Sequence, residues 1–342
     1  MKINTVPDFL MEEKYNFLRE DKHLGPNIIL LGYGGSHAYG TNVPTSDIDI
    51  RGIASNTINT VLGIDQFEQR ENKETDTVIY SINKAINLLA NCNPNVIEIL
   101  GLKDYFIKFY LGNLLLANKD MFLSKKVVNS FGGYATSQLR RLQNALAHDA
   151  YPQKEKNQHI IGSIENAMQT FNDRYNEKYN ILVHLNDNDE IVVDMNLKDY
   201  PIQDAQGMFS EMKSIIREYD KLNHRNNKKD NAHLNKHAMH LIRLLIMGEE
   251  ILRTKEIHTY REKEHDLLMS IRNGNYQNED GTFRSDFFEM VNAYDKQFRY
   301  AADNTELPDK PDKNRIDEYL KVANLSSLGI IVQRFEYLKK VN

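Results

Sequence analysis

A short apolar run, followed at once by a glycine-rich turn, is the feature that most restricts how the chain can fold. Residues 27–32 read Asn-Ile-Ile-Leu-Leu-Gly and lie between Gly25-Pro26 and the turn. Such a run between turn residues is typical of a buried strand. After the turn, residues 46–53 alternate polar and apolar side chains with period two, which predicts a second strand. The first third of the chain is therefore predicted to be an α/β unit built on a small mixed sheet.

Flanking residues place the other elements of this unit. Residues 7–19 predict a short amphipathic helix, and residues 76–80 predict a third strand. Ser81 is a suitable N-cap for the helix that follows this strand, and Pro94 can open the next short helix. The charged stretch at 68–74 is predicted to be a connection.

From about residue 120 onward, the pattern turns helical. Apolar residues recur at spacings of three and four at about 124–148, 155–180, 204–223, 235–255, 261–273, 285–303 and 316–340. One interruption, near 181–194, predicts a β-hairpin, and a polar stretch at 224–231 predicts a loop. We therefore expect an α+β fold with two domains. An α/β domain spans 1–118, and a mainly α-helical domain that includes the hairpin spans 119–342.

Composition excludes several classes of protein. With 342 residues, 41% of them hydrophobic, the chain can fill two cores, which rules out a disordered or fibrous protein. A net charge of −5 argues against a surface coated with positive charge for nucleic acid, although a local basic groove is compatible with it. The single cysteine, Cys92, excludes an internal disulfide. We expect a cytoplasmic protein with no membrane partner.

Two acidic residues, Asp47 and Asp49, carry the first chemical signal. On a strand, residues two apart point to the same face, about 6.5–7 Å apart, whereas Ile48 and Ile50 point to the opposite face. Two carboxylates so placed repel each other unless a cation lies between them, and Mg²⁺ suits an all-oxygen site. The alternative is an exposed strand whose acids face solvent.

The glycine-rich turn carries the second signal. Gly34 and Gly35 let the backbone approach an anion, and Ser36, near the N-cap of a following helix, places N–H donors there. A phosphate cradle 11 residues before a carboxylate pair is the layout that a magnesium–triphosphate complex needs. The turn lacks the lysine of a P-loop, and His37 occupies the third glycine position of a dinucleotide fingerprint.

These residues together carry a family resemblance. Gly35-Ser36, ten intervening residues and Asp47-Ile48-Asp49 resemble the signature of the polymerase-β-like nucleotidyltransferase superfamily. The longer strings at 35–42 and 46–53 are similar to those of predicted nucleotidyltransferases associated with RNA ligases. The strings at 93–100 and 236–243 also match that family's pattern, with lower specificity.

The resemblance implies that residues 1–118 form a nucleotidyltransferase catalytic domain, with ATP or another NTP as substrate. It implies a two-metal transfer in which Asp47 and Asp49 bind Mg²⁺, for which Mn²⁺ can substitute. Gly34, Gly35 and Ser36 would bind the phosphates, and pyrophosphate would leave. The helical domain would bind the second substrate.

A third carboxylate would help to bind the second metal ion. Asp76 begins the third predicted strand, which lies beside the second if the strands pair in order, and it is the first candidate for this catalytic and metal-binding role. The other candidates also fit a solvated charged loop: they are Glu68, Glu71 and Glu74.

Further residues are candidate substrate contacts. Arg51 alternates onto the face of the acid pair, where it can contact a phosphate or form a salt bridge with Asp49. Glu98 can be a supporting acid of the site or a favourable charge at a helix start. Three more candidates share one helix face: they are His237, His240 and Arg243.

The leading hypothesis is a Mg²⁺-dependent transfer of a nucleoside monophosphate from an NTP to a hydroxyl group, with an RNA 3′ end in tRNA or RNA repair as the favoured acceptor. The RNA acceptor follows from the family resemblance alone. A second hypothesis is nucleotidylylation of a protein or small molecule, as in toxin–antitoxin or antibiotic-modifying enzymes. A third is a non-catalytic nucleotide or RNA sensor. The sequence leaves the choice of NTP and any protein partner open.

Overall fold

The fold is taken from a computed structural model. It describes residues 6–146, 161, 164, 181–186, 190–223, 231–279, 281–332 and 336–339. The chain divides into two compact units, and each consists of separate stretches of sequence. The first unit contains Met1–Gln138, Asn235–Asn278 and Phe283–Asn342, and the second contains Leu139–Leu234 and Glu279–Thr282.

The first unit is built on a five-stranded mixed sheet. Its strands are β1 (Ile28–Tyr33), β2 (Ile50–Ala54), β3 (Gln69–Asn72), β4 (Thr77–Ser81) and β5 (Ile107–Lys108). The strand order is β3-β4-β2-β1-β5. Strand β2 pairs with β4 in parallel, and the other neighbours are antiparallel. The parallel pair sets the starts of β2 and β4 side by side at one edge of the sheet.

The described helices fall along the whole chain. In chain order they are α1 (Phe17–Glu20), α2 (Gly35–Tyr39), α3 (Ile58–Leu62), α4 (Ile82–Ala90), α5 (Pro94–Ile97), α6 (Tyr110–Ala117), α7 (Lys126–Leu146), α8 (Ile202–Asn223), α9 (Asn231–Thr254), α10 (His265–Arg272), α11 (Ser285–Asn304) and α12 (Lys313–Ser327). Short 3₁₀ helices span Asp8–Met11, Glu13–Tyr15, Gly25–Asn27, Glu98–Gly101 and Lys119–Phe122. Among the described helices, none combines the length and apolar character that a membrane span requires.

The predicted α+β fold class is confirmed, but two strands differ from the prediction. The strand predicted at 46–53 begins only at Ile50, so Asp47 and Asp49 lie in the segment that precedes it. The charged stretch at 68–74, predicted to be a connection, contains the edge strand β3. Its side chains are polar and mostly exposed, so they produce no alternation of apolar residues from which a strand could be predicted.

Two helical predictions also need correction. The helix predicted at 7–19 is broken into two 3₁₀ turns before the short helix α1. The last helix, predicted at 316–340, ends at Ser327. Gly329 follows with a φ of +76°, a conformation that commonly terminates helices.

The hairpin predicted near 181–194 is present in the second unit, where β6 (Ile181–Leu185) pairs antiparallel with β7 (Ile191–Met195). A small buried cluster in this unit consists of Ile164, Val183, Met208, Met212 and Ile215. All of the helix predicted at 155–180 except residues 161 and 164, and most of the loop predicted at 224–231, lie outside the described residues.

The compact units do not follow the boundary predicted at residue 118. Most of helix α9, together with most of the chain after it, belongs to the same compact unit as the sheet, although the sequence assigns residues 119–342 to a separate helical domain. Apolar periodicity shows where helices form but not which core they pack against. The substrate-binding role of residues 119–342 stays a prediction.

Burial in the first unit fixes where its strands lie. As the apolar run predicts, β1 is a buried strand: five of its six residues are buried, and Tyr33 is partly buried. Leu31, Ile50 and Ile79 come from three neighbouring strands and share one hydrophobic cluster with Leu18. Complete burial of an aliphatic side chain stabilises a fold by about 1.5–3 kcal/mol. The core therefore holds the strand starts, on which the candidate site lies, in a defined position.

A polar contact ties α12 to the chain before α7. Arg315 donates to both carboxylate oxygens of Asp120 at 2.8 and 3.0 Å, and Lys339 donates to one of them at 3.1 Å. Partial burial of Asp120 opposes ionisation, but these hydrogen bonds and charges outweigh it and lower the pKa of Asp120 to about 2.

We predict that Asp120→Asn lowers the free energy of unfolding by about 1 kcal/mol at pH 7, less than the full pKa shift implies because solvent screens this half-exposed side chain. The folded-state pKa is below the unfolded value, so this contribution is present above about pH 4 and is lost as the pH falls through about 2. Urea denaturation at pH 7 and pH 3 should show a smaller difference at pH 3. Asp309→Asn, which removes an exposed partner of Lys125, is the control and should change little. A difference independent of pH would contradict the prediction.

Candidate active site

The segments that precede β2 and β4 meet the turn after β1 at one edge of the sheet. The backbone N–H of Gly34 donates to the carbonyl of Asp49 at 2.8 Å, and the N–H of Ile50 donates to the carbonyl of Asp76 at 3.2 Å. Because Ile50 lies opposite Thr77 in the β2–β4 register, the residues that precede them, Asp49 and Asp76, lie side by side. The structure therefore brings together the turn and two of the predicted carboxylates.

Asp49 and Asp76 form a close carboxylate pair. Their carboxylates are close enough to influence each other's protonation, and a hydrogen bond between them requires a shared proton. Burial, the hydrogen bond and the negative charge of Asp76 raise the pKa of Asp49 to about 7. The hydrogen bond from Asp49 lowers the pKa of Asp76. Asp76 also has a φ of +43°, an uncommon conformation for a residue with a side chain and one that often marks functional sites.

Gly35 leaves the space that the Asp49 carboxylate occupies. A Cβ atom at this position would lie 1.9 Å from Oδ2 of Asp49, and the φ of +52° also favours glycine. Gly34 is confined as well, because a Cβ atom there would lie 2.6 Å from Cγ of Arg51. The close approach of the turn to these two side chains therefore requires both glycines.

Arg51 lies beside both carboxylates. Its Nη2 atom is 3.4 Å from Oδ1 of Asp49 and 3.2 Å from Oδ1 of Asp76. Its Nη1 atom donates to the carbonyl of Ile50 at 2.9 Å and to that of Asp76. Of the two roles considered for Arg51, the structure contains the salt bridge, and the phosphate contact stays a prediction. The side chain is 22% exposed and so remains open to a ligand.

The other candidate acids do not complete a metal-binding group with this pair. Asp47 is exposed. Glu68 pairs with Lys84 at 2.9 Å, and the remaining two glutamates, Glu71 and Glu74, are exposed. Within the described ranges, no three His, Cys, Asp or Glu side chains form a group that could hold a metal ion. The metal-binding roles of the acids stay predictions.

The donor set of Asp49 and Asp76 nevertheless fits a divalent cation. Carboxylate oxygens are the ligands that Mg²⁺ prefers, and a cation can take the place of the proton that two adjacent carboxylates otherwise share. The cradle at Gly35, which a Cβ atom would fill, holds the Asp49 carboxylate against the turn. Asp49 and Asp76 are therefore the residues that would hold Mg²⁺ or Mn²⁺.

Helix α2 begins directly at the turn. Gly34 is its N-cap residue, and Ser36 is buried in the second helical position, close to the N-cap as the sequence predicts. The first N–H groups of an α-helix have no acceptor within the helix, so a helix start provides donors for an anion. At Gly35 and Ser36 these groups lie next to the carboxylate pair.

Glu98 and Arg243 pair with each other in the buried interior. Nη1 of Arg243 donates to Oε1 of Glu98, and neither side chain is more than 9% exposed. Tyr39, the last residue of α2, donates its hydroxyl to Oε2 of Glu98 at 2.7 Å. The Arg243 guanidinium lies 3.7 Å from the centroid of the Tyr39 ring. Glu98 and Arg243, predicted as possible substrate contacts, thus each have a buried protein partner.

The two candidate histidines of α9, His237 and His240, also contact protein groups. His240 packs edge-on against Tyr39, with ring centroids 5.9 Å apart. Burial and the nearby charges of Arg243 and Lys236 lower the pKa of His240 well below its usual range, so its ring is neutral at pH 7. Nδ1 of His237 lies 2.9 Å from Oε1 of Gln138. Substrate contacts by either histidine stay predictions.

Lys236 is a residue of the site that the sequence does not single out. Its positive charge favours the ionised form of both Asp49 and Asp76, although burial and Asp76 outweigh it at Asp49. It is exposed and precedes Arg243 by seven positions on α9, so both side chains lie on one face of the helix. In the sequence, the one indication of its role is that it begins the string at 236–243. In that string only the histidines and the arginine were candidate substrate contacts.

A pocket of about 200 Å³ opens beside the turn. Its lining includes Gly34, Gly35 and Arg51 on the side of the carboxylate pair, and Asn95 and Glu98 from the string at 93–100. Three of the four strings that carry the family resemblance, at 35–42, 46–53 and 93–100, therefore line one pocket. Its other lining residues are Tyr33, Ala38, Tyr39, Val78, Tyr80, Ile99 and Leu102.

Comparison with known proteins finds a family match in the N-terminal half of the chain. No curated protein and no solved structure gives a significant match to the chain. A family model described as "RNA repair pathway DNA polymerase beta family" matches residues 11–171, a range that contains the turn, the carboxylate pair and Glu98. This match confirms, over residues 11–171, the family resemblance stated from the sequence.

Proposed function

We propose that the chain is a Mg²⁺-dependent nucleotidyltransferase that moves a nucleoside monophosphate from an NTP to the 3′ hydroxyl of an RNA. The observation that supports this most directly is the Asp49–Asp76 pair, which lies against the Gly34–Gly35 turn beside Arg51. The family match supports the reaction class, and its description supports RNA as the acceptor.

The triphosphate would lie along the turn. Because Gly35 has no side chain, the N–H groups at the start of α2 can approach phosphate oxygens closely. Arg51 and Lys236 bring two positive charges to the same edge of the sheet. These charges would neutralise the negative charge that develops on the leaving pyrophosphate.

The carboxylates would hold the metal ions of the reaction. When bound by Asp49 and Asp76, with Asp47 as a further predicted ligand, Mg²⁺ supplies charge neutralisation at the triphosphate and favours deprotonation of the attacking hydroxyl. Asp49 must first lose the proton that it shares with Asp76. Because the pKa of Asp49 is about 7, this proton leaves readily near neutral pH.

The reaction replaces one phosphorus–oxygen bond by another. The RNA hydroxyl would lose its proton to solvent, and its oxygen would bond to the α-phosphorus. The bond from that phosphorus to the oxygen that bridges to the β-phosphate would break, and pyrophosphate would leave with both electrons of the broken bond. Most of the acceleration in such a transfer comes from positioning and charge neutralisation, so the geometry of the turn and the carboxylates is decisive.

The test is incubation of the protein with each α-labelled NTP, Mg²⁺ and RNA that ends in a 3′ hydroxyl. Label in the RNA, identified by mass spectrometry as an added nucleotide, supports the proposal. Label in the protein or in a small molecule assigns nucleotidylylation of that acceptor instead. Binding of the NTP without any transfer would show that the chain is a sensor and overturn the proposal.

We predict that Asp49→Asn and Asp76→Asn each lower the rate of nucleotide transfer at least about 100-fold, because each removes a carboxylate from the pair that would hold the metal. Single-turnover rates measured across a range of Mg²⁺ concentrations check this. The control is Asp295→Asn, which removes a surface carboxylate that also pairs with an arginine, Arg299, at 2.7 Å. Equal rates for Asp49→Asn, Asp76→Asn and the control would contradict the prediction.

A second prediction concerns the turn. Gly35→Ala would place a methyl group where the Asp49 carboxylate lies, so we expect displacement of that carboxylate and a loss of about 100-fold in the transfer rate. Gly133→Ala is the matched control, because a Cβ atom there meets nothing within 4 Å. Rates and thermal unfolding are measured for both variants. Full activity of folded Gly35→Ala would show that the close approach is not needed.

A further inference from the structure

Helix α2 depends on other elements for its orientation. It has only five residues, and an isolated helix shorter than about 12 residues is marginal in water. Its first residues form the turn at the carboxylate pair, and its last residue, Tyr39, is buried. The contacts of Tyr39 at the end of α2 therefore help to fix how the start of α2 faces the site.

Three separate parts of the chain meet at the carboxylate of Glu98. Oε2 accepts the hydroxyl of Tyr39 from α2, and Oε1 accepts Nη1 of Arg243 from α9. The Arg243 guanidinium also covers the Tyr39 ring at 3.7 Å, which adds a cation–π contact. Both carboxylate oxygens are thus occupied by groups from the protein, and a movement of any one member would disturb the other two.

A second set of contacts holds the same elements through the backbone. Oγ1 of Thr259 donates to the carbonyl of Glu98 at 2.6 Å, and the N–H of Arg261 donates to the carbonyl of Tyr39 at 3.0 Å. Between them, the Tyr260 ring packs so closely on Gly40 that a Cβ atom there would lie 2.5 Å away. The segment after α9 therefore encloses the end of α2.

A buried ion pair is a poor way to gain stability. Removing two charges from water costs about as much as their attraction returns, so well-packed apolar residues often stabilise a fold equally well. What the Glu98–Arg243 pair does provide is directional geometry around Tyr39. Glu98 and Tyr39 also line the pocket that contains Gly34 and Gly35, so this geometry reaches the site directly.

We propose that Tyr39, Glu98 and Arg243 form a positioning network that fixes α2, and with it the Gly34–Gly35 turn, in the orientation that binds the NTP; the NTP part of this inference rests on the proposed function. The network acts through α2 and not by contact with the substrate. It makes α9, from the last third of the chain, a part of the nucleotide-binding machinery.

Two variants test the network. Tyr39→Phe removes only the hydroxyl, and Glu98→Gln/Arg243→Met removes both charges together and leaves no unpaired buried charge. We expect the Michaelis constant for the NTP to rise about 3-fold in the first and about 10-fold in the second, with the constant for RNA unchanged. In hydrogen–deuterium exchange, peptides that cover residues 34–41 should exchange several-fold faster than in the wild type, and peptides from α11 should not.

The control is Asp120→Asn/Arg315→Met, which removes an ion pair of the same compact unit that does not contact α2. It should lower the stability without changing the Michaelis constant for the NTP or the exchange of residues 34–41. If both network variants behave like this control, the Glu98–Arg243 pair only stabilises the fold and the inference is wrong. A raised Michaelis constant with unchanged exchange would make Tyr39 or Glu98 a substrate contact and would also overturn it.

The exchange measurement separates this inference from the proposed function. If the wild-type protein transfers no nucleotide, the proposed function fails, yet faster exchange of residues 34–41 in the two variants still supports the network. If the wild type is active and exchange is unchanged, the network fails alone.

Discussion

The parallel pairing of β2 with β4 is the interaction on which the candidate site depends. It places Asp49 next to Asp76, and two carboxylate charges about 4 Å apart near a protein surface repel each other by about 4 kcal/mol. Burial of Ile50 and Ile79 on the same two strands opposes separation, and a shared proton removes most of the repulsion. The pair is therefore assembled by the sheet itself, before any ligand is bound. Arg51 lies on β2 within the same pairing and supplies a compensating positive charge beside Asp76.

Much of this arrangement could be predicted from local sequence. The apolar run predicted β1, the glycines predicted a close approach to an anion, and the adjacency of strands predicted that Asp76 would join the acids. The polar edge strand β3 could not be predicted, because a strand with exposed polar side chains carries no apolar alternation. The partners of Glu98 and Arg243 could not be predicted either. Each residue type suits a substrate contact as well as a buried ion pair, and only the three-dimensional fold shows which one is formed.

Helix α9 carries both a residue that helps to position α2 and a residue whose charge acts on the carboxylate pair. Arg243 anchors the helix to Glu98 and Tyr39, and Lys236, two turns earlier on the same face, contributes its charge to the carboxylate pair. A rigid helix ties the positions of these two side chains together. A substitution that shifts α9 should therefore alter both the orientation of α2 and the charge around Asp49.

The sequence separation within the Glu98–Arg243 pair has a consequence for biosynthesis. The two residues are 145 positions apart, and a ribosome releases the chain from the N-terminus onward. All five strands of the sheet, and with them both carboxylates, emerge long before Arg243. During that interval Glu98 lacks its cation, and α2 lacks the residues that enclose its end. Nascent or prematurely terminated chains thus carry the acids of the candidate site without a fixed α2 beside them, so the order of synthesis itself delays the assembly of this arrangement until most of the protein has been made.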